Sequence, residues 1–205
     1  YQAILVDDYT NRKWSLILRT KDEYGAKLKE WLASLHTPPE TMRSDFGGEF
    51  IGKVANQFLQ VCAERGIHPE KSLPHESPQN GKAERSNRTV LEMARTMMLA
   101  AGLPKQCWSY AVRHATYVDQ YLDDKDGISP FERWYGYYEA PDLRAFGSRV
   151  TFRSDDDRQK LDSPGHTGIF LGYVPDSDGI YVWDHDVQHQ PVRLTRNFMG
   201  KSFHE

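Results

Sequence analysis

The apolar residues of this 205-residue chain change their rhythm near Pro141. Upstream they recur at helical spacing in long segments separated by short extended runs. Downstream they fall in the short runs RVTF, GIFLGY, IYVWD and PVRL, divided by turns rich in Gly and Asp. The first pattern specifies an α/β region, and the second a small β-rich module, a barrel or a sheet. We therefore divide the chain into an α/β core over 1–101, a helical extension over 102–141 and a β-rich domain over 142–205.

Within the core, 1–18 reads as a β-hairpin turning at Tyr9-Thr10-Asn11-Arg12. Thr20 and Glu23 have capping-box spacing and open a helix that carries Leu28, Trp31, Leu32 and Leu35 on one face. Pro38-Pro39 ends it. Thr41 to Asp45 is a short strand, and Phe46-Gly47-Gly48 a turn. A helix over Lys53–Arg65 carries Val54, Phe58, Val61 and Cys62, and Gly66 stops it. A short strand is expected over Ile67–Pro69, then a polar loop. A long helix follows from about Pro78 to Ala101, with Ala83, Val90, Ala94, Met97 and Met98 along one side. Another helix reaches about Leu122, and Ser129-Pro130-Phe131-Glu132 starts one more turn. The aromatic residues Trp108, Tyr110, Tyr117 and Tyr121 suit core packing or a subunit interface better than base stacking.

No run of about 18 apolar residues is present, so no membrane helix is expected. No cationic-then-apolar leader opens the chain, and Cys62 and Cys107 cannot build a disulfide framework. A net charge of -3 excludes binding to nucleic acid by bulk charge. Such a role needs local patches or metal ions.

Two acids stand out by position. Asp45 ends a strand beside a Gly-Gly turn, where sheet folds place ligands. Glu84 opens the long helix. Judged alone, each is a solvated acid or a capping group. Their joint context is different: strand, acid, turn, helix, strand, polar loop, then an acid opening a helix is the layout of a two-metal nuclease core. The hard oxygen donors suit Mg²⁺.

The segments Arg43-Ser44-Asp45-Phe46-Gly47-Gly48-Glu49-Phe50 and Ser77-Pro78-Gln79-Asn80-Gly81-Lys82-Ala83-Glu84-Arg85-Ser86-Asn87-Arg88 resemble the second-aspartate and glutamate motifs of retroviral-type integrases. Thirty-eight residues lie between Asp45 and Glu84, close to that family's usual gap. Val6-Asp7-Asp8-Tyr9-Thr10 with Trp14 resembles the second-strand signature of the copia class of retrotransposons. Ser129-Pro130-Phe131-Glu132-Arg133-Trp134-Tyr135-Gly136, Leu143-Arg144-Ala145-Phe146-Gly147-Ser148, Lys160-Leu161-Asp162 and Gly168-Ile169-Phe170-Leu171-Gly172-Tyr173 extend the resemblance over nearly the whole chain. It implies a ribonuclease H-like mixed sheet flanked by helices, followed by a small barrel-like domain. The implied activity is 3′-end processing and strand transfer of element DNA into host DNA, with Mg²⁺ or Mn²⁺. Asp45 and Glu84 would be the second and third members of an Asp-Asp-Glu triad and would hold the metal. The implied partners are element ends and target DNA, with a homo-oligomer assembled on them. The implied compartment is the nucleus, after a cytoplasmic particle stage.

The departures are equally specific. The hairpin 1–18 corresponds to the family's second and third strands, so the first strand and its aspartate are expected before Tyr1. Asp7 and Asp8 lie one strand too late to replace that aspartate, and they read as a pair capping the turn at Thr10-Asn11. With two of three carboxylates, this chain is expected to be inactive in strand transfer. The family's His-His-Cys-Cys zinc domain has no counterpart here, and His185 and His189 do not make a zinc site. Phe46 stands where the family commonly has Asn.

Lys82, Arg85 and Arg88 form a cationic strip within two turns of Glu84, suited to a phosphate backbone, and Asn80 and Asn87 can reach sugar or base edges. The plainer alternative is a solvated helix face with Glu84–Arg88 and Arg88–Glu92 pairs. The acidic run Asp155-Asp156-Asp157 reads as a solvated loop away from DNA. Two rival functions remain open: a catalytically dead or host-adopted remnant that binds DNA or protein, and a general nuclease of the same fold. An Asp on an apolar strand encoded upstream of Tyr1 supports the enzyme, and a start codon close to Tyr1 supports the remnant.

Overall fold

A computed structural model describes residues 1–44, 52–71, 77–139, 143–153, 165–175, 177–184, 192–196 and 198–199. Contacts group the chain into two compact units. One comprises residues 1–6 and 13–87, and the other residues 7–12 and 88–205.

In the first unit, β1 (Gln2–Val6) and β2 (Lys13–Ile17) form the expected antiparallel hairpin, with Leu5 opposite Trp14. A short 3-10 turn, Lys21–Glu23, leads into α1 (Tyr24–Ser34). The expected capping box does not form. The Thr20 side chain makes no capping bond, and the Glu23 carboxylate accepts the Arg19 amide at 2.8 Å instead. The tighter 3-10 turn shifts the acid's reach by one residue, so another orphan donor is satisfied. Tyr24, Leu28 and Leu32, four residues apart, are buried. They meet Phe58, Val61 and Cys62 from α2 (Lys53–Arg65), with Leu16 and Leu18 beneath. Trp31 and Leu35 are only partly buried at the margin of this core. Gly66 ends α2 in the left-handed region at φ 67°, and its amide returns to the last carbonyls of the helix. β3 (Thr41–Ser44) and β4 (His68–Lys71) pair in parallel with α2 as their crossover. β4 lies slightly later than the sequence suggests.

α3 (Ser77–Ala101) is one uninterrupted helix. Val90 and Ala94 are buried along it, but Ala83 is exposed, and Ser86 takes the buried position one turn before Val90.

The second unit contains α4 (Trp108–Asp119), α5 (Pro130–Tyr135) and a five-stranded antiparallel sheet. Its strands are β5 (Arg149–Arg153), β6 (Gly165–Tyr173), β7 (Ile180–Trp183), β8 (Val192–Thr195) and β9 (Phe198–Met199), in the order β8-β7-β6-β5-β9. β9 has no counterpart among the runs read from the sequence. β8 and β9 occupy opposite edges, yet only two residues separate Thr195 from Phe198. A flat sheet would put those edges about 19 Å apart, at roughly 4.8 Å per strand, whereas three residue steps span at most about 10 Å. The sheet must therefore curl until its edges nearly meet, which is the barrel-like form expected of this segment. Gly172, at φ 125°, sits at the register shift between β6 and β7. Ser129 caps α5 by accepting the Glu132 amide at 3.2 Å.

Of the aromatic residues expected to pack inward here, Tyr110, Tyr117 and Tyr121 do so, whereas Trp108, at the start of α4, is exposed. Tyr110 meets Tyr181 at 5.1 Å, Tyr117 meets Tyr173 at 4.5 Å and, just past the helix end, Tyr121 stacks on Phe131 at 4.9 Å. His114 is buried among Phe146, Phe170 and Tyr173. Burial lowers its pKa from 6.5 to about 4, although a hydrogen bond to the Arg144 backbone opposes the shift. The unfolded chain therefore takes up a proton below pH 6.5 that the folded chain refuses until pH 4, so stability falls with falling pH across that window. The expected loss from this group by pH 4 is about 3 kcal/mol. Urea melts of the wild type and His114→Phe at pH 7 and pH 4.5 check this: the acid-induced loss should be clearly smaller in the variant.

Candidate functional site

β3 ends at Ser44, one residue before Asp45, and Ser44 lies opposite Lys71, the last residue of β4. Because the pair is parallel, the chain leaves both strands from the same edge. One exit leads through Asp45 to α2, and the other leads to α3 and Glu84. Crevices at such carboxyl edges are where open α/β sheets bind ligands. Asp45, the turn 46–48 and the polar segment 72–76 lie outside the described residues. So do Asp155, Asp156, Asp157, His185, His189 and the Lys160-Leu161-Asp162 segment.

Glu84 occupies the third turn of α3 and is exposed. The buried side of α3 is marked by Ser86, Val90 and Ala94, one helical turn apart. Glu84 and Arg88 each lie two residues from Ser86, about 200° around the helix, so they share the opposite, solvent-facing side. Arg88 is also exposed. Lys82 is half-buried, and Arg85 is exposed and folds back toward the helix start. A Cβ on Gly81 would lie 2.8 Å from the Arg85 Nη1, so the glycine leaves room for the guanidinium over the first turns. A cation there opposes the positive end of the helix dipole, an arrangement that favours an anion nearby. The backbone of Asn80 lies in the first turn of α3. Asn87 is exposed, and its Oδ1 accepts a hydrogen bond from Gln2 Nε2 at 3.1 Å, tying α3 to β1.

Asp7 is engaged in its turn through one carboxylate oxygen. Its Oδ2 accepts both the amide and the hydroxyl of Thr10 at 2.7 Å, the capping role expected of it. Two features had no warning in the sequence. The first is the Gln2–Asn87 bond, which needs a tertiary neighbour 85 residues away. The second is the ion pair between Arg43 Nη2 and Glu70 Oε2 at 2.8 Å, between directly opposed residues of β3 and β4. Its signal is opposite charge at paired positions, visible only once the register is known. Among the described residues, no group of three His, Cys, Asp or Glu side chains could hold a metal ion.

No family model matches the chain. Its fold resembles that of a chain in the simian T-cell lymphotropic virus intasome in complex with PP2A regulatory subunit B56 gamma. That match has a TM-score of 0.53 and 14% identity, covering 95% of this chain and 70% of that one. The HTLV-2 integrase catalytic core domain, solved in complex with magnesium in a trimeric form, aligns over 64% of this chain and 82% of its own at a TM-score of 0.49 and 17% identity. The likeness to the intasome chain is one of fold, a mixed α/β arrangement followed by a small antiparallel sheet. The chain's homologues are retrovirus-related Pol polyproteins of plant copia-type transposons. The Pol polyprotein of transposon TNT 1-94 from Nicotiana tabacum is 32% identical over 196 residues, 90% of this chain. That of transposon RE1 from Arabidopsis thaliana is 31% identical over 181 residues, 84% of this chain. The chain spans 14% and 12% of the length of these two curated relatives.

Asn87→Ala should cost at most about 1 kcal/mol, the net worth of an exposed hydrogen bond. Gln2→Ala should then add almost nothing in the Asn87→Ala background. Denaturant midpoints of the two single variants and the double variant measure this coupling.

Proposed function

We propose that this chain is the catalytic part of a copia-type integrase, with Asp45 and Glu84 as two of its metal-holding carboxylates. The observation that supports the reading is the parallel β3–β4 pair, whose common edge releases both the Asp45 segment and the segment leading to Glu84. Glu84 suits metal binding, because its carboxylate is exposed, faces away from the buried side of α3 and offers the hard oxygen donors that Mg²⁺ or Mn²⁺ prefers. When bound, the divalent ions supply Lewis-acid activation of a water or 3′-hydroxyl and stabilisation of the leaving oxygen in an in-line phosphoryl displacement.

The chain's own residues do the rest. Lys82, Arg85 and Arg88 draw the phosphate backbone onto the exposed side of α3, and Asn80 and Asn87 contact sugar or base edges. The Gln2–Asn87 bond holds that helix against the hairpin while DNA is seated. We assign 1–101 to the catalytic core, 102–141 to its helical extension and 142–205 to the C-terminal domain. The substrates are element ends and target DNA. The working form is a homo-oligomer on that DNA in the nucleus, reached from a cytoplasmic particle.

The test is strand transfer in Mg²⁺ or Mn²⁺ by the element's integrase containing this chain. Asp45→Asn and Glu84→Gln should each lower joining by at least about 100-fold, with thermal melting unchanged. Joining that survives both substitutions refutes the assignment. In a separate DNA-binding titration, Lys82→Ala and Arg85→Ala should each reduce the slope of log affinity against log salt by about 1.

A further inference from the structure

The described residues of the second unit carry an aromatic patch to which the integrase reading gives no role. Tyr135, Tyr137 and Tyr138, at and after the end of α5, are 46%, 53% and 64% exposed, and Tyr9 in the hairpin turn is 82% exposed. Two of these rings, Tyr135 and Tyr137, rest on a buried one. Phe131, itself buried, stacks on Tyr121 at 4.9 Å and meets Tyr135 at 4.6 Å and Tyr137 at 5.8 Å. Exposed rings anchored to a core bind with little loss of side-chain freedom, and Tyr and Trp dominate the energetics of protein interfaces.

The chemistry of the patch selects its partner. The Arg12 guanidinium already sits over the rings of Trp134 and Tyr135, at 5.2 Å and 4.8 Å, so these faces receive a cation within the fold itself. The surrounding charge agrees. Residues 7–12 and 119–139 hold eight carboxylates against three Lys or Arg side chains, a net of -5 in a chain whose total is -3. The remainder of the chain is therefore net positive, and the net negative charge belongs to the segments that carry these rings. Single-stranded nucleic acid also stacks on aromatic platforms, but it does so in positively charged grooves. A field of this sign repels phosphate and attracts cations.

We propose that the Tyr9–Tyr135–Tyr137–Tyr138 surface is a docking site for an arginine-rich segment of a partner protein, held by cation–π contacts and by the acidic residues of the same segments. The site is independent of Asp45 and Glu84, so its test does not depend on catalysis.

Three labelled probes are compared by fluorescence anisotropy on the whole chain: an alternating Arg-Gly peptide, its Glu-Gly counterpart and an oligothymidylate. Two variants are used, Tyr9→Ser/Tyr138→Ser and Asp123→Asn/Glu139→Gln, all at exposed positions. The Arg-Gly peptide should bind, the Glu-Gly peptide should not, and each variant should weaken Arg-Gly binding roughly five- to tenfold. Oligothymidylate affinity should be no weaker in either variant. Absence of Arg-Gly binding overturns the proposal, as does affinity within twofold of wild type in both variants. Loss of oligothymidylate binding in the tyrosine variant also overturns it, and shows a nucleic-acid surface instead. Circular dichroism melts report folding. If the tyrosine pair unfolds the chain, the charge pair decides alone.

Discussion

The parallel pairing of β3 with β4 is the constraint on which the candidate site depends. Two strands can run parallel only if the chain crosses over between them, and here α2 makes that crossing. The helix is held by burial of Phe58, Val61 and Cys62, each at 2% exposure or less. Burying a large apolar side chain contributes about 1.5–3 kcal/mol, whereas an exposed ion pair such as Arg43–Glu70 contributes less than about 1 kcal/mol. Apolar packing beneath the helix therefore decides where the polar edge forms, and the ion pair only trims its register. The placement of that edge is thus a by-product of a core set back from it.

What could be read from the sequence depended on whether the signal was local. The bounds of α2 were legible because Val54, Phe58, Val61 and Cys62 repeat at helical spacing and Gly66 supplies the left-handed stop. The turn role of Asp7 was legible because Thr10 lies within reach of its carboxylate. The capping box at Thr20 and Glu23 failed because a single 3-10 turn changes which amide an acid can reach. β9 was invisible because two residues, Phe198 and Met199, carry no period. The Gln2–Asn87 bond and the curl of the C-terminal sheet depend on which distant segments pair, and spacing alone does not encode that. Asp45 and Glu84 stood out through order and resemblance, since neither acid has an unusual local sequence.

The modest net charge of -3 conceals a division of labour. Lys82, Arg85 and Arg88 gather within two turns of α3, while the segments 7–12 and 119–139 that carry the exposed tyrosines hold an excess of acidic residues. At physiological salt, charges much more than about 8 Å apart are largely screened from one another. The two proposed surfaces thus draw on segments of opposite net sign within one chain.

The order of the C-terminal sheet also governs when it can assemble. β5 is flanked by β6, which begins 12 residues after β5 ends, and by β9, which begins 45 residues after. During synthesis β5 can zip to β6 early, but its other side stays bare until Phe198 has left the ribosome. An unpaired strand flank is a template for illicit pairing with neighbouring chains. The seam that seals this module is therefore its last stitch, and the interval before it closes is when the module is most open to a chaperone or to a mispaired neighbour.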